Sequence, residues 1–258
     1  MDRPHEALLK AIYRRTLDRA ARSARISRFV PPGLEPFCDI RRRKPAFAPA
    51  TIFDVGAHRG ESAIRFHRAC PDARIVAFEP VRGVFLDLQA KTANISKLEC
   101  FQYALGDQTQ NVRIRLNPKS STNSLLNERT NVSGSGSGDE GGDSDENHET
   151  VSVMTLDSFC AAHDVAHIDF LKIDAEGYDL YVLEGARGML ESERISFVQV
   201  ETRLSAASDN IGPELTDMIN FLGDLHFVPF GFYHQTHEWS GAARLRFLDA
   251  VFINRAYT

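Results

Sequence analysis

Between residues 51 and 201, short and almost unbroken apolar runs alternate with amphipathic stretches, and this alternation restricts the chain to few architectures. TIFDVG (51–56), RIVAFEP (74–80), LECFQYAL (98–105), IDFLKID (168–174) and ISFVQVE (195–201) read as strands. ESAIRFHRAC (61–70), VFLDLQAKTA (84–93), DLYVLEGARGML (179–190) and PELTDMINFLG (213–223) read as helices. A strand that is apolar on both faces must be covered on both, and an intervening helix makes successive strands parallel. HFVPFGFYH (226–234) and RFLDAVFIN (246–254) are separated by too little chain for a crossover helix, so they should pair antiparallel. The expectation is an α/β protein: a Rossmann-like seven-stranded sheet with helices on both faces and an antiparallel C-terminal edge hairpin. RIRLNP (113–118) and VSVMTLDSF (151–159) fall outside this rhythm and read as hairpin strands beside the core.

Charge divides the chain. Residues 1–44 hold twelve Lys or Arg against five Asp or Glu, a net of +7, while the remainder carries −12. Leu9, Ile12, Tyr13, Leu17, Ala20 and Ala24 share one helical face there, with Arg15, Arg19 and Arg22 on another. Pro31, Pro32 and Gly33 end this helix, and the RRRKP run at 41–45 leads into the next element. Residues 1–44 are therefore expected to form a basic amphipathic helix and linker, followed by one domain over 45–258. Such a helix packs on its own domain or on a second subunit in a homo-oligomer, or makes peripheral membrane contact on an anionic surface. Nucleic acid is not an expected partner, because the acidic remainder repels phosphate and no N/D-P-P-Y base-methylation motif is present.

Residues 133–149 contain six carboxylates and almost nothing to bury, which predicts a flexible acidic insert. Asp139, Asp143 and Asp145 offer oxygens for calcium, but their spacing departs from the EF-hand loop. Four cysteines without a C-x-x-C pair point to a reduced, cytoplasmic protein, or one peripheral to the membrane. No apolar run approaches the roughly 18–20 residues of a spanning helix, and no signal-peptide core precedes the first prolines.

The chemistry concentrates in the strand-turn-helix FDVGAHRG. Gly56 and Gly60 permit a tight turn and close approach of a ligand, and Asp54 ends the strand. Glu79 ends the next strand twenty-three residues after Gly56, where an acidic side chain accepts hydrogen bonds from ribose hydroxyls. The pair indicates an adenosine-containing cofactor. NAD would call for G-x-G-x-x-G and uncrowded amides for its pyrophosphate. This turn instead has Ala57 and His58 between its glycines and Asp54 beside them, which suits the cationic S-adenosyl-L-methionine.

TIFDVGAHRGESAIRF, IVAFEP, YALGD, VMTLDSF and IDFLKIDAEGYDLYVLEGARGML resemble, in that order, the motifs of the FkbM-like methyltransferases. The resemblance covers roughly residues 50–201, and KIDAEGYDLYVLEGA is its most specific part. It implies a class I, S-adenosylmethionine-dependent fold, acting mostly as an O-methyltransferase on sugars or other hydroxylated natural products. The common pattern has Asn where this chain has His58, and a much shorter segment in place of 133–149. Carried onto this chain, the cofactor pocket takes Asp54, Gly56, Ala57, Gly60, Glu79, Pro80 and the loop Ala104, Leu105, Gly106 and Asp107.

Asp174, Glu176 and Gly177 follow the strand that lies beside the cofactor turn at the reversal of strand order, where an acceptor should bind. Asp174 or Glu176 would orient the hydroxyl, His58 has a suitable unperturbed pKa to take its proton, and Lys172 is a charge set within an apolar strand. The FGFYH aromatics at 230–234 either line the acceptor pocket or fill the core. A divalent metal has no local ligand motif behind it; Asp174, Glu201 and His234, with His237 nearby, are the nearest approach to one. The expected function is transfer of a methyl group to a hydroxyl of a sugar-containing or polyhydroxylated small molecule. The alternatives are a membrane-associated lipid or glycolipid acceptor, and an inactive cofactor-binding module.

Overall fold

The computed structural model describes residues 13–116, 148–204, 213–237 and 244–258. Its strands are β1 (Thr51–Val55), β2 (Arg74–Phe78), β3 (Leu98–Phe101), β4 (Ala104–Leu105), β5 (Gln110–Arg115), β6 (His148–Met154), β7 (Ile168–Ile173), β8 (Ile195–Arg203), β9 (Phe227–His237) and β10 (Leu245–Asn254). Seven join in the order β3-β2-β1-β7-β8-β10-β9. The first five are mutually parallel, while β10 runs antiparallel to both β8 and β9. This is the expected class I Rossmann-like sheet with its antiparallel edge. The chain leaves β1 toward β2 and β3, then returns to lay β7 on the other side of β1, so a crevice opens between the carboxyl ends of β1 and β7.

Alternation along the strands sorts side chains into two cores. Phe53 and Val55 face one core, together with Leu171 and Ile173. Ile52 faces the other with Phe170 and Phe197. Asp54 and Lys172 are paired across β1 and β7, and Lys172 is paired in turn with Gln199 on β8. By the same alternation the three share the Ile52 face, so a polar row crosses the sheet at its carboxyl end.

That face is covered by α1 (Pro36–Arg43) and α2 (Glu61–Ala69). The sequence reading missed α1, although its start is well marked. Pro36 occupies the first turn and the Glu35 carboxylate accepts the Cys38 N–H at 2.6 Å. Arg41, Arg42 and Arg43 complete its last turn, so the basic run expected to be linker belongs to a helix terminus that favours cations. Phe37 packs 4.8 Å from Phe170 and 5.7 Å from Phe66, centroid to centroid. Its full burial stabilises this cover by roughly 2–3 kcal/mol.

Residues 13–20 are helical, and a short turn, Ala24–Ser27, follows instead of one continuous helix. Of the apolar face read from sequence, Leu17 and Ala20 pack into the Ile52-side core beside Ala21, whereas Tyr13 is exposed. Leu9 and Ile12 lie outside the described residues. Asp18 is buried and faces Arg65 and Arg68 of α2 at 3.8 and 3.5 Å, which fixes the helix to its own domain.

Three further expectations change. The stretch 98–105 divides because exposed Gln102 and Tyr103 interrupt it, and β4 leaves for a small second sheet, β4-β6-β5. In 151–159 only the first residues are strand: Thr155 accepts the Ser158 N–H at 3.1 Å and caps α4 (Leu156–Ala162). Past Arg82–Thr92, labelled α3, the stretch 179–190 breaks into α5 (Asp179–Glu184) and α6 (Arg187–Glu191). The break is capped by Asp157, which accepts the Gly188 and Met189 N–H groups at 2.7 and 2.9 Å. The chain then continues through α7 (Leu215–Asp224) into the edge hairpin. Apart from His148 and Glu149, which open β6, the acidic insert lies outside the described residues, as do Asp139, Asp143 and Asp145. All four cysteines are free. Among the described residues no helix is long and apolar enough to cross a membrane.

Candidate functional site

The turn after β1 is built against the end of β7. Gly56 has φ 72°, and a Cβ there would stand 1.9 Å from the Asp174 carbonyl oxygen, so no side chain fits. The Gly56 and Ala57 N–H groups both donate to the Phe78 carbonyl, which ties the turn to the end of β2. His58 follows at φ 49°, a conformation to which His and Asn are better suited than most residues. The type expected here from the resemblance, Asn, meets the same backbone demand.

Glu79 sits just past β2 and is 6% exposed. It accepts the Val81 N–H on Oε1 at 2.9 Å and the His58 N–H on Oε2 at 3.1 Å. Burial nevertheless raises its pKa to about 7. Each oxygen keeps a lone pair for a further donor, as recognition of two vicinal ribose hydroxyls requires.

Lys172 binds the crevice together. Its Nζ lies 3.2 Å from Asp54 Oδ1, 3.3 Å from Asp174 Oδ2 and 3.3 Å from the Gly56 carbonyl oxygen. Burial alone would favour loss of its proton, but Asp174 and Asp54 outweigh that effect and hold its pKa above the ordinary value. A lysine so held is a fixed cation and not a base. Asp54 also accepts the Ser62 hydroxyl at 2.5 Å. It is fully buried behind Ser62 and Lys172, where it positions the turn from beneath.

A cavity of about 360 Å³ opens above these groups, within the usual range for small-molecule sites. Ala57, Glu79, Pro80, Ala104 and Leu105 line one end. Lys172, Asp174, Glu176, Gln199, His234 and Asp249 line the other. Arg14, Glu35 and Phe37 of the N-terminal segment form part of its wall. Burial first, then the charge of Asp174, raises the pKa of Glu176 to about 7. The same two causes raise that of the buried Asp179 to about 7, and Glu201 is shifted upward as well.

A family model, the methyltransferase FkbM domain, matches residues 54–229. The chain belongs to the FkbM methyltransferase family. Methyltransferase 1 of Beauveria bassiana (strain ARSEF 2860) is 28% identical over 142 residues, which are 52% of this chain and 57% of that protein. The crystal structure of the methyltransferase FkbM from Methylobacillus flagellatus KT superposes with a TM-score of 0.51 at 16% identity, covering 96% of this chain and 60% of that one. The chain thus spans somewhat over half the length of either relative. S-adenosylmethionine is the cofactor typical of the family and fold, and the cavity suits it: a buried carboxylate past β2, a turn too close for any Cβ, and an anionic floor beneath.

The residues drawn from sequence for this FkbM methyltransferase fall into two groups. Gly56, Ala57, His58, Glu79, Pro80, Ala104, Leu105, Lys172, Asp174 and Glu176 meet around one cavity. Asp54, Gly60, Gly106 and Asp107 are not among its lining residues. Gly60, at φ 86°, begins α2 and packs against Leu88 and Thr92. Among the described residues no three His, Cys, Asp or Glu side chains are grouped to hold a metal ion. Asp174, Glu201 and His234, the nearest approach to a metal site in the sequence, are not grouped: the His234 imidazole is directed to Asp249, 2.7 Å away, and Glu201 is not part of the cavity wall. Of the 230–234 aromatics, Tyr233 is buried and donates to Asp39 at 3.1 Å, and Phe230 packs on Phe197, so both belong to the core.

Ser62, Gln199 and Asp249 escaped the sequence reading. The last two have apolar neighbours on both sides, as Lys172 does: Gln199 lies between Val198 and Val200, and Asp249 between Leu248 and Ala250.

Proposed function

We propose that this chain is an S-adenosylmethionine-dependent O-methyltransferase acting on a hydroxyl of a sugar-containing or polyhydroxylated small molecule. The observation that carries the reading is that Glu79, past β2, and the Lys172–Asp174 pair, at the end of β7, flank β1 and line one cavity at the reversal of strand order.

S-adenosylmethionine, when bound, supplies an electrophilic methyl group on a sulfonium. Glu79 would accept the ribose hydroxyls, the Gly56–Ala57 turn would hold the amino acid portion, and Ala104 and Leu105 would hold the adenine. Asp174 orients the acceptor hydroxyl, fixed by its ion pair with Lys172, and Glu176 adds a second polar contact. Holding donor and acceptor in line supplies much of the rate in such transfers. Two imidazoles on the wall, His58 and His234, are able to receive the hydroxyl proton.

The acceptor end is dense in hydrogen-bonding groups, which favours a polyhydroxylated ligand. Leu17, Ala20 and Ala21 pack inward, which supports a dissolved acceptor over one held in a membrane. The test is transfer of a radiolabelled methyl group from S-adenosylmethionine to a panel of methyl glycosides, with glycolipid vesicles in parallel. Methylated glycoside formed with an equal amount of S-adenosylhomocysteine is the expected result. Product only from vesicles would favour the lipid acceptor, and cofactor binding without product on either would favour an inactive module.

A further inference from the structure

His234 has φ 47°, a left-handed backbone that His, Asn and Asp adopt more readily than other residues with side chains. The strand pairing shows how this arises. Asp249 pairs with Tyr233 and Phe247 pairs with Thr236, so His234 and Gln235 of β9 stand opposite the single residue Leu248 of β10. This is a β-bulge, a device that redirects a side chain and that recurs beside active sites. Here it brings the imidazole to Asp249, whose Oδ2 lies 2.7 Å from Nδ1. Gln199 donates to the same oxygen at 2.7 Å and steadies the carboxylate from β8. Gln199 is the register partner of Lys172, so the three side chains extend the polar row of the crevice, and all of them line the cavity that holds Asp174.

A carboxylate at Nδ1 fixes the imidazole tautomer: Nδ1 carries the hydrogen and Nε2 keeps its lone pair. His58 is placed otherwise. It also lines the cavity, but Oε2 of Glu61 stands 3.9 Å from its Nδ1, too far to fix that ring as Asp249 fixes His234.

We propose that His234 is the general base for the acceptor hydroxyl, with Asp249 and Gln199 as its positioning residues. The assignment rests on the methyl-transfer reading given above. The hydroxyl oxygen forms the new bond to the methyl carbon while the carbon–sulfur bond breaks and its electron pair returns to sulfur. The hydroxyl proton passes to Nε2 of His234, and the imidazolium so formed is stabilised by Asp249 through Nδ1–H.

His234→Gly separates chemistry from structure. Glycine accepts this backbone, so the variant keeps or raises the melting temperature and binds S-adenosylhomocysteine as the wild type does. It loses about a hundredfold in kcat/KM toward the methyl glycoside that the wild type methylates best, and added imidazole restores part of the rate. Independently of turnover, the ¹⁵N imidazole spectrum of the ligand-free wild-type protein should show His234 as the Nδ1–H tautomer. A rate in His234→Gly within threefold of wild type overturns the base while leaving the methyltransferase intact. An Nε2–H tautomer overturns the pairing with Asp249 whatever the kinetics. A wild type that methylates neither glycosides nor glycolipid vesicles removes the hydroxyl-transfer reading, and the base with it.

Discussion

At Gly56 two strand ends approach so closely that the Asp174 carbonyl occupies the space of a methyl group. Gly56→Ala would introduce that clash at a positive φ, and should destabilise the fold by about 3 kcal/mol and abolish S-adenosylmethionine binding. Urea unfolding followed by circular dichroism measures the first effect; an unchanged midpoint would mean that the turn relaxes at little cost. The same approach explains why Gly56, Glu79 and Lys172 were legible in the sequence. Each breaks a local pattern, as a glycine after a strand, an acid at a strand end or a charge inside an apolar run. His234 and Asp249 were not legible as a pair. Their contact depends on a bulge between strands whose residues lie fifteen positions apart, and no local signal marks which residue slips.

Elements were legible where one pattern ran without interruption, as in β1, β2, β7 and β8. They were misread where a side chain from elsewhere sets a boundary. Asp157 caps the break between α5 and α6 from thirty-one residues away. The Thr155 cap is local, but VSVMTLDSF has enough apolar residues to disguise it. Thr155→Ala should cost about 1 kcal/mol of stability without altering cofactor affinity, and Thr155→Ser should recover most of the loss. Denaturation midpoints of the two variants check this; equal midpoints for Ala and Ser would show that the hydroxyl does not cap α4.

Across the whole molecule, burial puts several carboxylates at odds with their charge. Glu35, Glu79, Glu176, Asp179 and Glu201 all have pKa values raised above the ordinary range, three of them to about 7. The folded chain therefore holds protons that the unfolded chain has released, so stability falls as pH rises from about 4.5 through 8. His58 works in the opposite direction, since burial lowers its pKa, but it is one group against several. Calorimetry of the free protein should give a higher melting temperature at pH 5.5 than at pH 7.5; the reverse order would mean that these carboxylates are hydrated. The fold class was legible at this scale because strand order follows from the alternation of elements. The closure of the cavity by Arg14, Glu35 and Phe37 was not, because periodicity gives a helix its apolar face without saying what that face covers.

The proposed function turns on Glu79 as the anchor of an adenosine cofactor at the β1–β7 crevice. Isothermal titration with S-adenosylmethionine, S-adenosylhomocysteine and NAD, on the wild type and Glu79→Ala, addresses it most directly. Micromolar binding of the first two and none of NAD is the expected result. Affinity should fall from pH 8 to pH 6 as Glu79 takes up a proton, and the variant should lose roughly tenfold to a hundredfold, the value of hydrogen bonds to a charged acceptor. Preference for NAD, or a variant that binds S-adenosylmethionine as tightly as the wild type, would contradict it.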